Sequence, residues 1–169
     1  MPTVKETETV VRSLGLSVGH YAICGGAMLA KRGLRENVSD VDLLVTPTLY
    51  AKLLQIWPTS KKGSQGEAKT PTKVFLSESS PDGIKVEAFC SINFSDFAKA
   101  LEYLSRTEII DGLPYVCLAD MLEWKESYAF ALPEENPTKS KHLADVVVMR
   151  KALGLITPKY SWKFSLFAA

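Results

Sequence analysis

The fold of this chain is decided by two neighbouring segments, Tyr21-Ala-Ile-Cys-Gly-Gly-Ala-Met-Leu-Ala30 and Ser39-Asp-Val-Asp-Leu-Leu-Val45. The second segment has the apolar residues of a buried strand, yet it also carries Asp40 and Asp42. A buried charge is costly unless it is paired or bound to a metal ion. Because alternate residues of a strand point to the same side, both carboxylates are expected on one face of the sheet. The strand is therefore interpreted as part of a divalent-cation site.

The glycine pair Gly25-Gly26 follows the first predicted strand and is expected to form the turn into a helix that starts at Ala27. Glycine lets the backbone approach a phosphate closely, and the N-terminus of a helix offers free N–H groups and a favourable dipole. Three side chains between this turn and the acids could also touch phosphate, namely Arg32, Arg35 and Ser39. Arg35 is the preferred contact among them.

A third acid, Glu87, lies on the predicted strand Ile84–Phe89, whereas its rival Asp82 lies in a Pro-Asp-Gly turn. If this strand pairs with the Asp40 strand, three carboxylates converge. Three carboxylates can hold two Mg²⁺ ions together with water and phosphate oxygens. Two such ions about 3.5–4 Å apart stabilise both the attacking and the leaving oxygen of an in-line displacement. In this interpretation Asp40 and Asp42 hold both ions, and Glu87 shares the ion that activates the attacking hydroxyl.

The composition is that of a single globular domain. The chain has 169 residues, 46% hydrophobic and 23% charged, with a formal net charge of +1, so nothing in the overall charge favours nucleic acid or an anionic membrane. No apolar run approaches the roughly 20 residues of a membrane span. The polar N-terminus does not resemble a secretory signal, and the widely spaced cysteines are expected to be reduced. A cytoplasmic location is the expectation.

Strands alternate with helices and are followed by helices alone, which predicts an α+β fold: a mixed sheet flanked by helices, with C-terminal helices. We expect residues 1–117 to form the core and residues 118–169 to form a helical part packed on it as one compact unit. Thr3 and Glu6 have the spacing of a capping box before the first helix, and Thr46 is expected to cap a helix that begins at Pro47. Ser95 is expected to cap a helix that runs to Leu104. The remaining predicted elements are a hairpin of Val74–Leu76 with Ile84–Phe89, a second hairpin of Glu108–Ile110 with Tyr115–Leu118, and two helices at Leu118–Phe130 and Lys139–Leu153.

Together, Gly25, Gly26, Asp40, Asp42 and Glu87 resemble the pattern of the DNA polymerase beta-type nucleotidyltransferase superfamily. The resemblance implies a nucleotidyltransferase core that uses Mg²⁺ to transfer a nucleoside monophosphate from a nucleoside triphosphate to a hydroxyl. The family more often has Gly-Ser where this chain has Gly26 and Ala27. That difference removes a hydroxyl that can contact phosphate.

The C-terminal segments Leu118-Ala-Asp-Met-Leu-Glu-Trp-Lys125 and Lys141-His-Leu-Ala-Asp145 resemble small bacterial members of that superfamily related to abortive-infection toxins and antibiotic adenylyltransferases. The resemblance implies that Lys125 and Lys141 bind triphosphate or acceptor and that Asp145 orients a lysine. The alternatives are that both lysines lie on solvated helix faces, that Asp145 pairs with Lys141 one turn earlier, and that His142 lies at the surface.

The sequence thus predicts a two-metal nucleotidyltransferase with Asp40, Asp42 and Glu87 as metal ligands and catalytic residues. Two Mg²⁺ ions are the expected cofactor, with Mn²⁺ as the alternative, and a nucleoside triphosphate is the expected partner. The acceptor is left open among a small molecule, a tRNA or other RNA end, and a protein side chain. A second hypothesis is a catalytically weak or inactive relative that binds nucleotide, a toxin–antitoxin partner protein or a second copy of the chain. No membrane partner is expected.

Overall fold

The computed structural model of the protein describes residues 2–56, 73–75, 84–93 and 96–156. Within these ranges helices and strands alternate until the last two helices follow the final hairpin. In chain order the elements are α1 (Val4–Ser13), β1 (Tyr21–Cys24), α2 (Gly25–Lys31), β2 (Asp40–Val45), α3 (Pro47–Ile56), β3 (Lys73–Phe75), β4 (Lys85–Phe89), α4 (Phe97–Ser105), β5 (Glu108–Ile110), β6 (Leu113–Tyr115), α5 (Leu118–Ala131) and α6 (Lys139–Ala152).

The described strands form one mixed sheet in the order β3-β4-β2-β1-β6-β5. Strand β2 pairs antiparallel with β1 and parallel with β4, and the hairpins β3–β4 and β5–β6 lie at the two edges. β1 and β6 are parallel. This arrangement confirms the predicted α+β fold and the pairing of the Glu87 strand with the Asp40 strand.

The core lies around β2, whose apolar residues Val41, Leu43, Leu44 and Val45 are fully buried. Such a run of apolar residues is typical of a strand that is covered on both faces. Apolar side chains from each of the helices α1 to α6 complete the same core, including Met121 of α5 and Met149 of α6. The last two helices therefore pack on the sheet, while the division at residue 117 stays a prediction.

Local signals set two of the helix starts. At α1 the side chain of Thr3 accepts a hydrogen bond from the Glu6 amide, and the Glu6 carboxylate accepts one from the Thr3 amide, which is a capping box. At α3 the Thr46 hydroxyl accepts from the Leu49 amide at 3.3 Å, ahead of Pro47 at the first helical position. Both starts agree with the sequence prediction.

Three predicted boundaries are wrong. Helix α2 begins at Gly25, so the glycine pair forms its first turn rather than a separate turn before Ala27. Helix α4 is capped by Asp96, whose carboxylate accepts from the Lys99 amide at 2.8 Å, and the helix begins at Phe97. The second strand of the second hairpin was predicted at Tyr115–Leu118, but β6 spans Leu113–Tyr115, and the chain after Tyr115 leaves the sheet towards α5. Residues 111–112 alone separate β5 from β6, and both have positive φ.

Several features of the sequence lie outside the described residues: the Pro-Asp-Gly turn that contains Asp82, Ser95 itself, the lysine-containing segment 58–72 and the aromatic segment 160–167. Among the residues that the structure does describe, no helix is both long enough and apolar enough to cross a membrane.

Candidate metal centre and the cavity beside it

The three predicted acids lie together on two neighbouring strands. Asp42 of β2 is directly opposite Glu87 of β4 in the parallel pair, and Asp40 is two residues earlier on the same face of β2. One carboxylate oxygen from each of Asp40, Asp42 and Glu87 lies within 4.8 Å of the others. Glu87 is only 8% exposed, and the two aspartates are half-buried. The cluster offers hard oxygen ligands of the kind that Mg²⁺ and Mn²⁺ bind.

Gly25 is the residue that lets this cluster form against α2. Its φ is +62°, and a Cβ placed on it would lie 2.1 Å from the Oδ2 atom of Asp42. A side chain at this position would therefore collide with the Asp42 carboxylate. The Gly25 amide itself donates to the Sδ atom of Met121 at 3.5 Å. Gly25 thus supplies room for a carboxylate, and its own N–H faces the core.

Gly26 gives the same kind of clearance to Arg35. A Cβ at Gly26 would lie 2.7 Å from the Nη1 atom of Arg35, which is the far end of a flexible side chain. The guanidinium therefore lies against the first turn of α2, where the pattern that the sequence resembles more often has a serine. The Arg35 guanidinium, which is positively charged and has several N–H donors, therefore lies in the region that was predicted to bind phosphate.

An open cavity of about 470 Å³ lies beside the acid cluster and brings three of the predicted nucleotide-binding residues together. The residues that line it are Arg35, Glu36, Asn37, Ser39 and Lys141. The Ser39 hydroxyl donates to the Oδ1 atom of Asp40 at 2.6 Å, so it links the cavity to the acids and holds that carboxylate in place. Lys141 is exposed at the cavity wall.

Lys125 of α5 is buried, at 8% exposure, rather than solvated. Its ammonium donates to the Oδ2 atom of Asp145 at 3.0 Å and lies 3.1 Å from the Nδ1 atom of His142, both on α6. The expectation that Asp145 orients a lysine agrees with this contact. The alternative pairing of Asp145 with Lys141 is wrong because Asp145 meets Lys125 of the neighbouring helix, and His142 is half-buried rather than at the surface.

Cys24 of β1 is paired with Asp42 of β2, and its side chain is buried. Burial raises the pKa of Cys24 well above its ordinary value, the negative charge of Asp42 raises it further, and Lys125 lowers it to a smaller extent. The thiol therefore stays protonated and donates to the backbone oxygen of Asp42 at 3.4 Å. Met121, one turn before Lys125 on the same face of α5, accepts a hydrogen bond from the Gly25 amide, so this face of α5 packs against α2 beside Asp42.

His142 is the residue of this region that the sequence prediction missed. Burial, followed by the positive charge of Lys125, lowers the pKa of His142 to about 4, so the imidazole is neutral near pH 7. Its ring also meets Tyr128 edge to face, with the ring centroids 4.9 Å apart. The available signal was the spacing of His142 and Asp145, since residues three apart share one face of a helix.

Comparisons with known proteins give little beyond this geometry. No protein-family model matches the chain, and no curated protein matches it. Among solved structures the chain is similar to the crystal structure of an antigenic nucleotidyltransferase-like protein from Paracoccidioides brasiliensis, with 20% identity and a TM-score of 0.40. The match covers 85% of this chain and 72% of that one. A likeness at this level carries no argument about activity.

Proposed function

We propose that this protein is a Mg²⁺-dependent nucleotidyltransferase that transfers a nucleoside monophosphate from a nucleoside triphosphate to an acceptor hydroxyl. The observation that carries the proposal is the meeting of three carboxylates on β2 and β4 within 4.8 Å of one another, at the glycine turn that begins α2. A surface cluster of acids would not require an adjacent glycine with no room for a Cβ. The cavity beside the cluster, with Arg35, Ser39 and Lys141 in its wall, supports the same function.

The donor set fits magnesium. All three ligands are carboxylate oxygens, and no sulfur or imidazole nitrogen joins the cluster among the described residues, so hard divalent cations are favoured over zinc. Asp40, Asp42 and Glu87 are the residues that would hold the metal. When bound, Mg²⁺ would neutralise charge on the phosphates and lower the pKa of a coordinated hydroxyl.

The other side chains would bind and orient the substrate. Arg35 and Lys141, which both line the cavity, would supply positive charge for the triphosphate, and Arg35 can donate two hydrogen bonds to one phosphate. Ser39 keeps Asp40 in position through its hydrogen bond. Phosphoryl transfer of this kind depends mainly on positioning and on charge stabilisation. The residues around the cavity would supply both.

The test measures the transfer of a radioactive label from each of the four nucleoside triphosphates to three kinds of acceptor: a panel of small molecules, bulk tRNA and protein. Each reaction is run with Mg²⁺ or with Mn²⁺. The doubly substituted variant Asp40→Asn plus Asp42→Asn keeps the side-chain shapes but removes two negative charges. We expect it to lose label transfer and to lose Mn²⁺ binding measured by electron paramagnetic resonance.

The matched control is Glu135→Gln, which removes a negative charge from an exposed position far along the chain. It should retain both metal binding and transfer. Metal-dependent transfer that survives in the double variant would contradict the proposed role of the aspartates. Metal binding to the wild-type protein without transfer to any acceptor would favour the second candidate.

That second candidate is a nucleotide-binding or partner-binding relative with weak or no activity, acting for example in a toxin–antitoxin pair. It is favoured by Ala27, a buried residue where the family pattern has a serine, which leaves the first turn of α2 without that hydroxyl. Its ligand would be a nucleotide, a partner protein or a second copy of the chain. Calorimetry with Mg²⁺ and nucleotide, together with the molecular mass in solution, distinguishes these cases.

A further inference from the structure

The contact between α5 and α6 contains a polar cluster that the two-metal chemistry does not require. Lys125, Asp145 and His142 meet there, and Lys125 and Asp145 are each nine-tenths buried or more. A buried ammonium needs partners because an unpaired charge in the interior is costly. One carboxylate already neutralises it, so the role of the imidazole requires a separate explanation.

Hydrogen-bond chemistry defines the state of the imidazole. An ammonium group can only donate, so the Nδ1 atom of His142, at 3.1 Å from the Lys125 Nζ atom, must be the acceptor. The hydrogen of the neutral ring is then on Nε2. The edge-to-face contact with Tyr128 restricts rotation of the ring and keeps Nδ1 directed at the lysine.

Two of the three ammonium hydrogens are used in this way. Asp145 takes one and His142 takes another, and among the described residues no further acceptor is within hydrogen-bond distance of the Lys125 Nζ atom. Two fixed acceptors determine the direction of the third N–H bond. Two contacts place this cluster near the acids and the cavity: Met121, one turn before Lys125 on α5, accepts from the Gly25 amide, and Lys141, next to His142 on α6, lines the cavity.

We propose that His142 is a positioning residue: its Nδ1 atom and Asp145 together fix the Lys125 ammonium so that the third N–H donates to a phosphate oxygen of the bound triphosphate. This inference rests on the proposed function for the identity of the ligand. The contacts of Lys125 with Asp145 and His142 do not depend on that function. A carboxylate alone would leave the ammonium free to rotate about the single contact, and the imidazole removes that freedom.

The test compares three substitutions of His142. His142→Asn places an amide oxygen near the position of Nδ1, His142→Gln places it nearer that of Nε2, and His142→Phe keeps the ring against Tyr128 without an acceptor. Binding of each nucleoside triphosphate with Mg²⁺ is measured by calorimetry. Since one hydrogen bond to a charged group is lost, the Phe and Gln variants should bind about tenfold more weakly, while the Asn variant should bind like the wild type.

A second measurement needs no nucleotide. In protein labelled with ¹⁵N-lysine, the Lys125 ammonium hydrogens should exchange slowly with water in the wild type and the Asn variant, and rapidly in the Phe and Gln variants. Equal exchange in all four proteins would overturn the positioning role. Slow wild-type exchange without any nucleotide binding would instead overturn the proposed function.

Thermal unfolding of each protein checks that the variants are folded. The Asn and Gln variants carry the same chemical groups, so a difference between them reports the position of the acceptor even if the Phe variant is unstable. Equal nucleotide affinity of the Asn and Gln variants would contradict the proposal.

Discussion

Gly25 shows how a single missing side chain decides the geometry of the candidate site. Its positive φ and its contact with the Asp42 carboxylate are two separate constraints. Gly33 has a similar φ of +68°, but a Cβ there would meet nothing within 4 Å. Substitution of either glycine would therefore strain the backbone, but only a side chain at position 25 would also collide with Asp42.

We predict that Gly25→Ala and Gly33→Ala each lower the free energy of unfolding, by about 1–3 kcal/mol for the strained backbone alone. Gly25→Ala should cost more, because its methyl group must also displace Asp42. It should weaken Mn²⁺ binding as well, whereas Gly33→Ala should leave Mn²⁺ binding unchanged. Urea unfolding and metal titration measure the two effects. Equal metal affinity in both variants would show that Asp42 does not depend on this glycine.

At the scale of one helix, α4 illustrates what a sequence can and cannot specify. Ser95 and Asp96 are both favoured N-cap residues, so the sequence alone does not choose between them. The chosen cap depends on the turn before the helix: Ile92 and Asp96 pair through two backbone hydrogen bonds of 2.9 Å each. That bridge fixes Asp96, rather than its neighbour, at the start of the helix.

We predict that Asp96→Ala lowers the free energy of unfolding by about 1 kcal/mol, since its carboxylate is the acceptor for the Lys99 amide. Ser95→Ala, the matched control one residue earlier, should change it by less than about 0.5 kcal/mol. Urea unfolding of the two variants measures the difference. A larger loss in the Ser95 variant would mean that the sequence-based assignment of the cap was right.

The same contrast explains how much of the fold and site was predictable. The capping box at Thr3 and the Thr46-Pro47 start involve neighbours in sequence, and both were predicted. The acid cluster was also predictable, because strand alternation gives the side of each residue and only the pairing of β2 with β4 had to be assumed. The partner of Lys125 was not, since it depends on how α5 and α6 pack, and no local rule specifies the contact between two helices.

At the scale of the whole molecule, the neutral His142 links stability to pH. Burial and the charges of Lys125, Lys141 and Arg35 lower its pKa from 6.5 to about 4, against the opposing effect of Asp145. Between these two values the unfolded chain binds a proton on this residue and the folded chain does not. Stability therefore decreases as the pH falls from 6.5 to 4 and is fully present above 6.5.

We predict that the free energy of unfolding of the wild type, relative to that of His142→Asn, decreases as the pH falls from 6.5 to 4 and is constant between pH 7 and 8. Taking the difference removes the contribution of carboxylates that titrate in the same range in both proteins. Urea unfolding at a series of pH values provides the measurement. A difference that is independent of pH from 4 to 8 would mean that His142 is protonated equally in the folded and unfolded states.

The parallel pairing of β2 with β4 has a consequence for the order in which the protein becomes competent during synthesis. Two of the three acids lie on β2, but Glu87 belongs to a strand that the ribosome makes later, and the intervening residues must be complete before the two strands can run side by side. A nascent chain that ends before β4 carries Asp40 and Asp42 without their third neighbour. Divalent-cation affinity measured on chains of increasing length would therefore report the moment at which the centre of the sheet closes.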